Sequence, residues 1–405
     1  MKTFSPYIIE KLLECRSLTT ECYKQKSYSN QKNSQIIVDR DIIAIGDIHG
    51  DIQLMLDTLK IGGLIQLINL NNSNAIKIIR KDKKDTIEYY EWIGGNKIVV
   101  QVGDQIDRCR PTTNGFNNCK EQDTTYQDEA SDIEILLFFT KLHQKALVEG
   151  GAVYSLLGNH ELMNIIGDIS YVSYKNFDQL QIEDREENVI IDEITKVINK
   201  TNNNSIDHNI QRRKNIFRPG GILAKFIACT RYSILIVNGY LFVHGGVLDS
   251  FRKHYDKKIE DFDLLNTEIK KFINDDKNSN HSSLNFYNKM IDFIFRTNYS
   301  PFITRDLTDV TTDEKIKPCT HVKTIIEHYG LKGIIIGHTI QINGINGSCP
   351  DGNGKNTLFK IDVGSSKAFN FMPNQPKAQV LKISKDSKTY VLRYGENSKI
   401  ISKLI

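Results

Sequence analysis

At 405 residues, 40% hydrophobic and 25% charged, the chain has the make-up of a globular α/β protein with enough apolar material for a sizeable core. A formal charge of +4 without a dense Lys/Arg block argues against a nucleic-acid partner, and no apolar run nears the roughly 20 residues that span a bilayer. The opening MKTFSPYIIEKLLECRSL is broken by Pro6, Glu10, Lys11 and Glu14 before an apolar signal stretch could form, so the chain is expected in the cytoplasm, away from membranes.

Residues 1–35 read as an N-terminal helical extension, an amphipathic helix followed by the polar tract KQKSYSNQKNSQ. One catalytic domain is expected over 36–400. It begins with IIAI (Ile42 to Ile45), an apolar run of the kind that forms a strand covered on both faces, and a helical pattern follows over Gln53 to Leu59. Residues 70–90, rich in Asn and Lys, read as an interval before a second strand, KIVVQV. A polar insertion over about 109–130 precedes a helix, SDIEILLFFTKLHQKAL, capped at Ser131 or Asp132. The third strand is GAVYSLL.

Residues 168–217 form a polar insertion or cap. RYSILIVNGYLFVHGGV then predicts two strands hinged at Asn238-Gly239. A mixed insertion spans about 250–320, HVKTIIEHYG closes a helix at Gly330, GIIIGHT is another buried strand, and the tail alternates like antiparallel strands with a turn at Lys385 to Ser387. The seven cysteines (Cys15, Cys22, Cys109, Cys119, Cys229, Cys319 and Cys349) are dispersed, odd in number and without a CxxC pair. They read as unpaired thiols rather than a disulfide framework or zinc site, with Cys109 and Cys119, which bracket one loop, pairing under oxidation.

Five of the apolar strands end in chemistry: Gly46-Asp47-Ile48-His49, Gly103-Asp104-Gln105-Ile106-Asp107-Arg108, Gly158-Asn159-His160-Glu161, Val243-His244-Gly245-Gly246 and Gly337-His338-Thr339. In open α/β sheets ligands bind beyond the carboxyl ends of strands, so Asp47, His49, Asp104, Asn159, His244 and His338 are expected to converge. Three imidazoles, two carboxylates and a carboxamide, with no thiolate, suit borderline divalent ions such as Mn, Fe, Zn or Ni. Two ions about 3.5–4 Å apart can hold a hydroxide and clamp phosphoryl oxygens, which is hydrolytic chemistry. His143, His208, His254, His281, His321 and His328 lack a strand-end setting and read as ordinary residues.

GDIHG, GDQIDR, GNHE, VHGG and GHT resemble, in order and spacing, the motifs of the calcineurin-like metallophosphoesterases, and most of all the phosphoprotein phosphatase superfamily. LLGNHE, RPGGILA and IDVGSS resemble the Shewanella-like, bacterial-type branch. The resemblance runs from Ile42 to Ser366. It implies an α/β/β/α sandwich of two mixed sheets and a metal-dependent phosphomonoesterase, a Ser/Thr protein phosphatase acting on phosphoproteins or phosphopeptides. It implies two divalent ions, manganese first among them. Asp47 and His49 would bind the first metal, Asp104 would bridge, and Asn159, His244 and His338 would bind the second. His160 would protonate the leaving alkoxide, oriented by Asp107. Arg108 would grip phosphate, and a hydroxide held by the metals would attack phosphorus with no phosphoenzyme. Arg218, before the Pro219-Gly220-Gly221 turn that starts a helix, is a candidate second phosphate contact.

The chain departs from the pattern in two places. Cys109 stands where a glycine usually follows the Asp-Arg pair, with Arg110-Pro111 and the polar insertion behind it, giving that loop its own shape. The eukaryotic SAPNYC signature is absent, so docking of the eukaryotic regulatory subunits is not implied. A diadenosine-tetraphosphate hydrolase or other small-molecule phosphoesterase shares the first motifs, although Ile340 stands where diesterases commonly carry the second His of GHxH. An inactive scaffold keeping the fold is the remaining alternative, and the full ligand set argues against it.

Overall fold

Ile42–Ile45 shows how the sequence builds the layers. Ile43 and Ile45 join one apolar cluster while Ile42 and Ala44 join another, because alternate residues of a strand point to opposite faces. A strand buried on both faces needs a layer on each side. The computed structural model describes residues 2–24, 34–69, 75–111, 118–184, 205–255, 259–275, 284–308 and 318–405.

The first main sheet has seven strands, in spatial order Arg231–Tyr232, Ala152–Leu156, Ile98–Gln101, Ile42–Ile45, Gln379–Ile383, Thr389–Tyr394 and Ile400–Leu404. Its first four strands run parallel and the rest antiparallel. The second has six strands: Asn346–Pro350, Asn356–Lys360, Gly333–Ile336, Tyr240–Val243, Ile234–Val237 and Gln35–Ile36. Leu235, Val237, Phe242, Ile335 and Phe359 meet Ile42, Val100, Leu156 and Leu381 in the cluster between the sheets. Their neighbours Ile234, Ile236, Leu241, Val243, Ile334, Ile336 and Leu358 point outward into a helical layer. Helices Ile52–Ile61 and Asp132–Val148 cover the outer face of the first sheet. The fold is therefore the four-layer α/β/β/α sandwich of two mixed sheets.

Several elements differ from the sequence reading. Within the 70–90 interval, Ile76–Arg80 and Thr86–Trp92 are strands, joined with Ile65–Ile68 in a three-stranded antiparallel sheet. Its signal was the alternation of buried Ile76, Ile78, Tyr90 and Trp92 among lysines and glutamates. The expected N-terminal helix is present over Pro6–Lys24 and lays Ile8, Leu12 and Cys15 into the main helical-layer core. The polar tract at 25–33 and His281 lie outside the described residues, as do 70–74, 112–117, 185–204, 256–258, 276–283 and 309–317. The described parts of 168–217 are helical over Tyr174–Asp178 and Ile206–Phe217, and Val172, Phe177 and Ile210 give them a small core.

The expectation of unpaired thiols is corrected. Cys22–Cys229, Cys109–Cys119 and Cys319–Cys349 are disulfides, leaving Cys15 free and buried. Partners separated by 207 and 30 positions are brought together only by packing, of the first helix on Ile222–Thr230 and of Pro318–Tyr329 against Asn346–Pro350. Among the described residues no helix is long and apolar enough to cross a membrane.

Candidate metal centre and phosphoester site

The parallel registers align the strand ends. Ile45 lies opposite Gln101 and Gln101 opposite Ser155 in one sheet, and Val243 opposite Ile336 in the other. The next residues of each strand therefore leave the sandwich along one rim. The loops are then tied to each other by backbone: Ile48 and His49 N–H groups donate to the Asp104 carbonyl, each at 2.9 Å, and Gly337 N–H donates to the His244 carbonyl. The two sheets are joined where His338 N–H donates to the Asp47 carboxylate, at 3.1 Å to Oδ2. Close approach explains two of the glycines: a Cβ at Gly337 would overlap Oδ1 of Asp47, and one at Gly158 would overlap Oδ1 of Asp104.

Glu161 organises the rim from beneath. Its carboxylate accepts from the N–H groups of Asp104, Gln105 and Gly158 at 3.0, 2.8 and 2.8 Å, fixing the second loop against the third. Four non-glycine residues here have left-handed backbones: His49 (φ 48°), Asp104 (φ 53°), Asp107 (φ 70°) and His338 (φ 65°). Such conformations are uncommon outside glycine and concentrate where function requires them.

The six predicted ligands come together. His49, Asp104 and His160 have candidate donor atoms all within 4.8 Å of one another, and so do Asp104, His244 and His338. Asp104 belongs to both groups, the position of a bridging carboxylate. Nε2 of His49 lies 3.8 Å from Oδ2 of Asp47 and 3.8 Å from Oδ2 of Asp104. Asn159 joins the second group through Oδ1, 3.0 Å from Nε2 of His244.

The outer hydrogen bonds choose which nitrogen faces inward. His244 donates from Nδ1 to the Val102 carbonyl at 2.9 Å, leaving Nε2 toward Asp104 at 3.2 Å. His338 donates from Nε2 to the Ile303 carbonyl at 3.1 Å, leaving Nδ1. Anchoring one ring nitrogen on a carbonyl is how a metal-binding imidazole is oriented. The charge balance also fits divalent cations. Burial pushes the Asp47 carboxyl well above its usual range, reinforced by Asp362 and Asp104. Burial holds His49 and His338 well below neutrality, helped by Arg110 at the first and His244 at the second. Burial opposes ionisation of Asp104 too, but the imidazoles of His244, His160 and His49 outweigh it and keep the carboxylate charged. Burial opposes protonation of His244, but Asp104 outweighs it and holds that ring above the ordinary histidine range; the neutral imidazoles of His49 and His338 beside crowded carboxyls form a donor set that dications would stabilise.

His160 lies at the edge of the first group. Its Nδ1 is 3.0 Å from Oδ2 of Asp107, and its Nε2 is 3.9 Å from Oδ2 of Asp104. Asp107 is held in turn by Asn164 Nδ2 at 3.0 and 2.9 Å, with the Arg213 guanidinium 3.5 Å away. Arg213 also binds Asn164 Oδ1 and Asp132 Oδ2. Sequence reading missed Asn164, Arg213 and Asp362, and took Asp132 only as a helix cap. All but Asp362 sit on helices, where an isolated polar residue carries no positional signal, and Asp362 lay unassigned within IDVGSS. Arg305, another residue not foreseen, donates to the His338 carbonyl and Thr339 Oγ1.

The two arginines expected to contact phosphate differ in setting. Arg108 is buried, its Nη1 bonded to the Gly50 carbonyl at 2.9 Å and Glu129 Oε1 at 2.5 Å. Arg218 is exposed at the end of the Ile206–Phe217 helix, and among the described residues its hydrogen bonds are backbone ones to Lys214 and Gly221.

This rim of aspartates, histidines and an asparagine agrees with family assignment: the chain belongs to the calcineurin-like phosphoesterases, whose model matches residues 41–341. It is related to Shewanella-like protein phosphatases. Shewanella-like protein phosphatase 2 of Arabidopsis thaliana is 28% identical over 372 residues, covering 85% of this chain and 75% of that one. An uncharacterized protein of Acanthamoeba polyphaga mimivirus is 30% identical over 280 residues, 65% of this chain and 100% of its own. Among solved structures, the cold-active protein-tyrosine phosphatase of a psychrophilic Shewanella species superposes with a TM-score of 0.55 at 19% identity, covering 92% of this chain and 83% of that one. That likeness shows the fold.

Proposed function

We propose that the chain is a metal-dependent phosphomonoesterase acting as a Ser/Thr protein phosphatase. The observation that carries this reading is one carboxylate, Asp104, shared by two groups of metal-competent side chains with the His160–Asp107 pair at their edge. Asp47 and His49 would hold one divalent ion, Asn159, His244 and His338 a second, and Asp104 both, with manganese a fitting ion. When bound, the ions supply Lewis-acid charge for the phosphoryl oxygens and a water of lowered pKa.

The chain's own groups govern the proton. Water adds to phosphorus as the bond to the substrate oxygen breaks, and that oxygen takes its proton from Nε2 of His160. Asp107 holds the opposite nitrogen and balances the charge of the protonated ring. Asn164 and Arg213 keep Asp107 in place. No side chain needs to become phosphorylated.

Protein substrates are favoured by kinship with proteins named protein phosphatases, and Ile340 after Gly337-His338-Thr339 weighs against a diesterase. The test is a substrate panel with added manganese: peptides carrying phosphoserine, phosphothreonine or phosphotyrosine, dinucleoside polyphosphates and p-nitrophenyl phosphate. Turnover of the phosphoserine and phosphothreonine peptides is expected. Rapid dinucleotide cleavage with negligible peptide turnover would replace the proposal with the small-molecule reading, and no hydrolysis of any substrate would favour the scaffold.

A further inference from the structure

We propose that Arg110, rather than Arg108, is the guanidinium that grips the substrate's phosphoryl group. The inference rests on the phosphoesterase reading and assigns that site its anion contact. The geometry of Arg108 removes it from this role. Its side chain is fully enclosed, and its charge is matched by Glu129 at 2.5 Å. Glu129 Oε1 also accepts from Ile52 N–H, and Arg108 clasps the Gly50 carbonyl. These contacts lock the loops after the first two strands together. Only Nη1 makes these contacts; Nε and Nη2 are without a partner among the described residues, but they are enclosed with the rest of the side chain and out of reach of a phosphoryl group entering from solvent.

Arg110, two residues on, faces the chemistry. Its guanidinium carbon lies 4.4 Å from the centre of the Phe369 ring and 5.6 Å from that of Tyr171. Those rings stand edge-on to the two imidazoles of the first group: Phe369 is 5.2 Å from His49, and Tyr171 is 4.9 Å from His160. The cation is thus held between rings that border one candidate metal ligand and the proposed acid. Its Nη1 donates to the carbonyls of Asp107 and Cys109 at 3.0 and 2.8 Å.

A planar guanidinium fixed by aromatic faces and two carbonyls has its rotation set in advance, and such a fork matches phosphate better than a point charge does. The segment itself is pinned on both sides. Cys109 is bonded to Cys119, and its N–H donates to the Tyr171 carbonyl at 3.0 Å. The sequence departure at Cys109-Arg110 therefore acquires a purpose: the disulfide replaces the usual glycine and holds a displaced arginine at the site.

The experiment compares wild type with Arg110→Ala, Arg110→Lys and Arg108→Lys, all reconstituted with manganese. It measures inorganic phosphate binding by calorimetry, p-nitrophenyl phosphate kinetics, metal content and melting temperature. Arg110→Ala is expected to weaken phosphate binding about tenfold or more and lower kcat/KM on the order of 10²-fold. Metal content should stay at wild-type level, and Arg110→Lys should recover only part of the loss. Wild-type phosphate affinity in Arg110→Ala would overturn the proposal. So would a tenfold loss in a normally melting Arg108→Lys alongside an unaffected Arg110→Lys. If Arg110→Ala does not fold, the lysine variant decides: weakened phosphate affinity there supports the proposal, and wild-type affinity overturns it. A wild type that neither binds phosphate nor hydrolyses any ester overturns the underlying functional reading instead, which separates the two failures.

Discussion

Asp107→Asn isolates the proton donor from the metal chemistry. The carboxylate accepts from His160 Nδ1 at 3.0 Å within a fully buried pocket, and Asn164 reaches both its oxygens. Asparagine has nearly the same shape but no charge, so the protonated ring of His160 loses its counter-charge while the packing is kept. A buried hydrogen bond to a charged partner contributes about 1.5–3 kcal/mol, and 1.36 kcal/mol is a factor of ten in rate. The variant should therefore hydrolyse a phosphoserine peptide about 10- to 100-fold more slowly. p-Nitrophenyl phosphate releases an oxygen that needs no proton at neutral pH, so its turnover should fall by less than about threefold. Steady-state kinetics with both substrates, at matched metal content, reads the contrast. Equal losses for the two leaving groups, or none for the peptide, would refute the assignment of His160 and Asp107 to proton donation.

Other outcomes follow from the same geometry. Asp104→Asn should lose both activity, by about 10³-fold or more, and metal stoichiometry measured by elemental analysis, since Asp104 alone belongs to both groups; a variant retaining two ions would contradict a bridging role. His143 is buried and accepts from Val153 N–H, and burial lowers it to about 4. Unfolding raises its proton affinity, so its contribution is complete above about pH 6.5 and is lost as the pH falls toward 4. Between pH 7 and 5 the wild type should lose roughly 2 kcal/mol more stability than His143→Gln, read from urea unfolding; parallel losses would contradict this. Intact mass without reductant should show three disulfides and one free thiol. Removing Cys22–Cys229 by paired serine substitutions should cost about 2–5 kcal/mol, and an unchanged urea midpoint would mean the pair does not form.

The sequence by itself determined the layers and the rim. Ile42 to Ile45 or Gly333 to Ile336, apolar on both faces, requires a covered strand, and its next residue must emerge at the sheet's end. Gly158 and Gly337 mark where the chain passes a ligand carboxylate too closely for a Cβ, and Gly46 and Gly103 where it passes the backbone of another segment. These are local properties, written in consecutive residues. What only the tertiary structure decided is which way long side chains turn and which distant ones meet. Arg108 and Arg110 are near neighbours in sequence, yet one folds inward onto Glu129 and the other lies between Phe369 and Tyr171. The Cys22–Cys229 pair and the Asp107–Asn164–Arg213 chain likewise join residues whose proximity comes from helix packing. The physical reason is one of range: backbone periodicity acts over a few residues, whereas burial and charge pairing are settled among partners that meet only after the layers close.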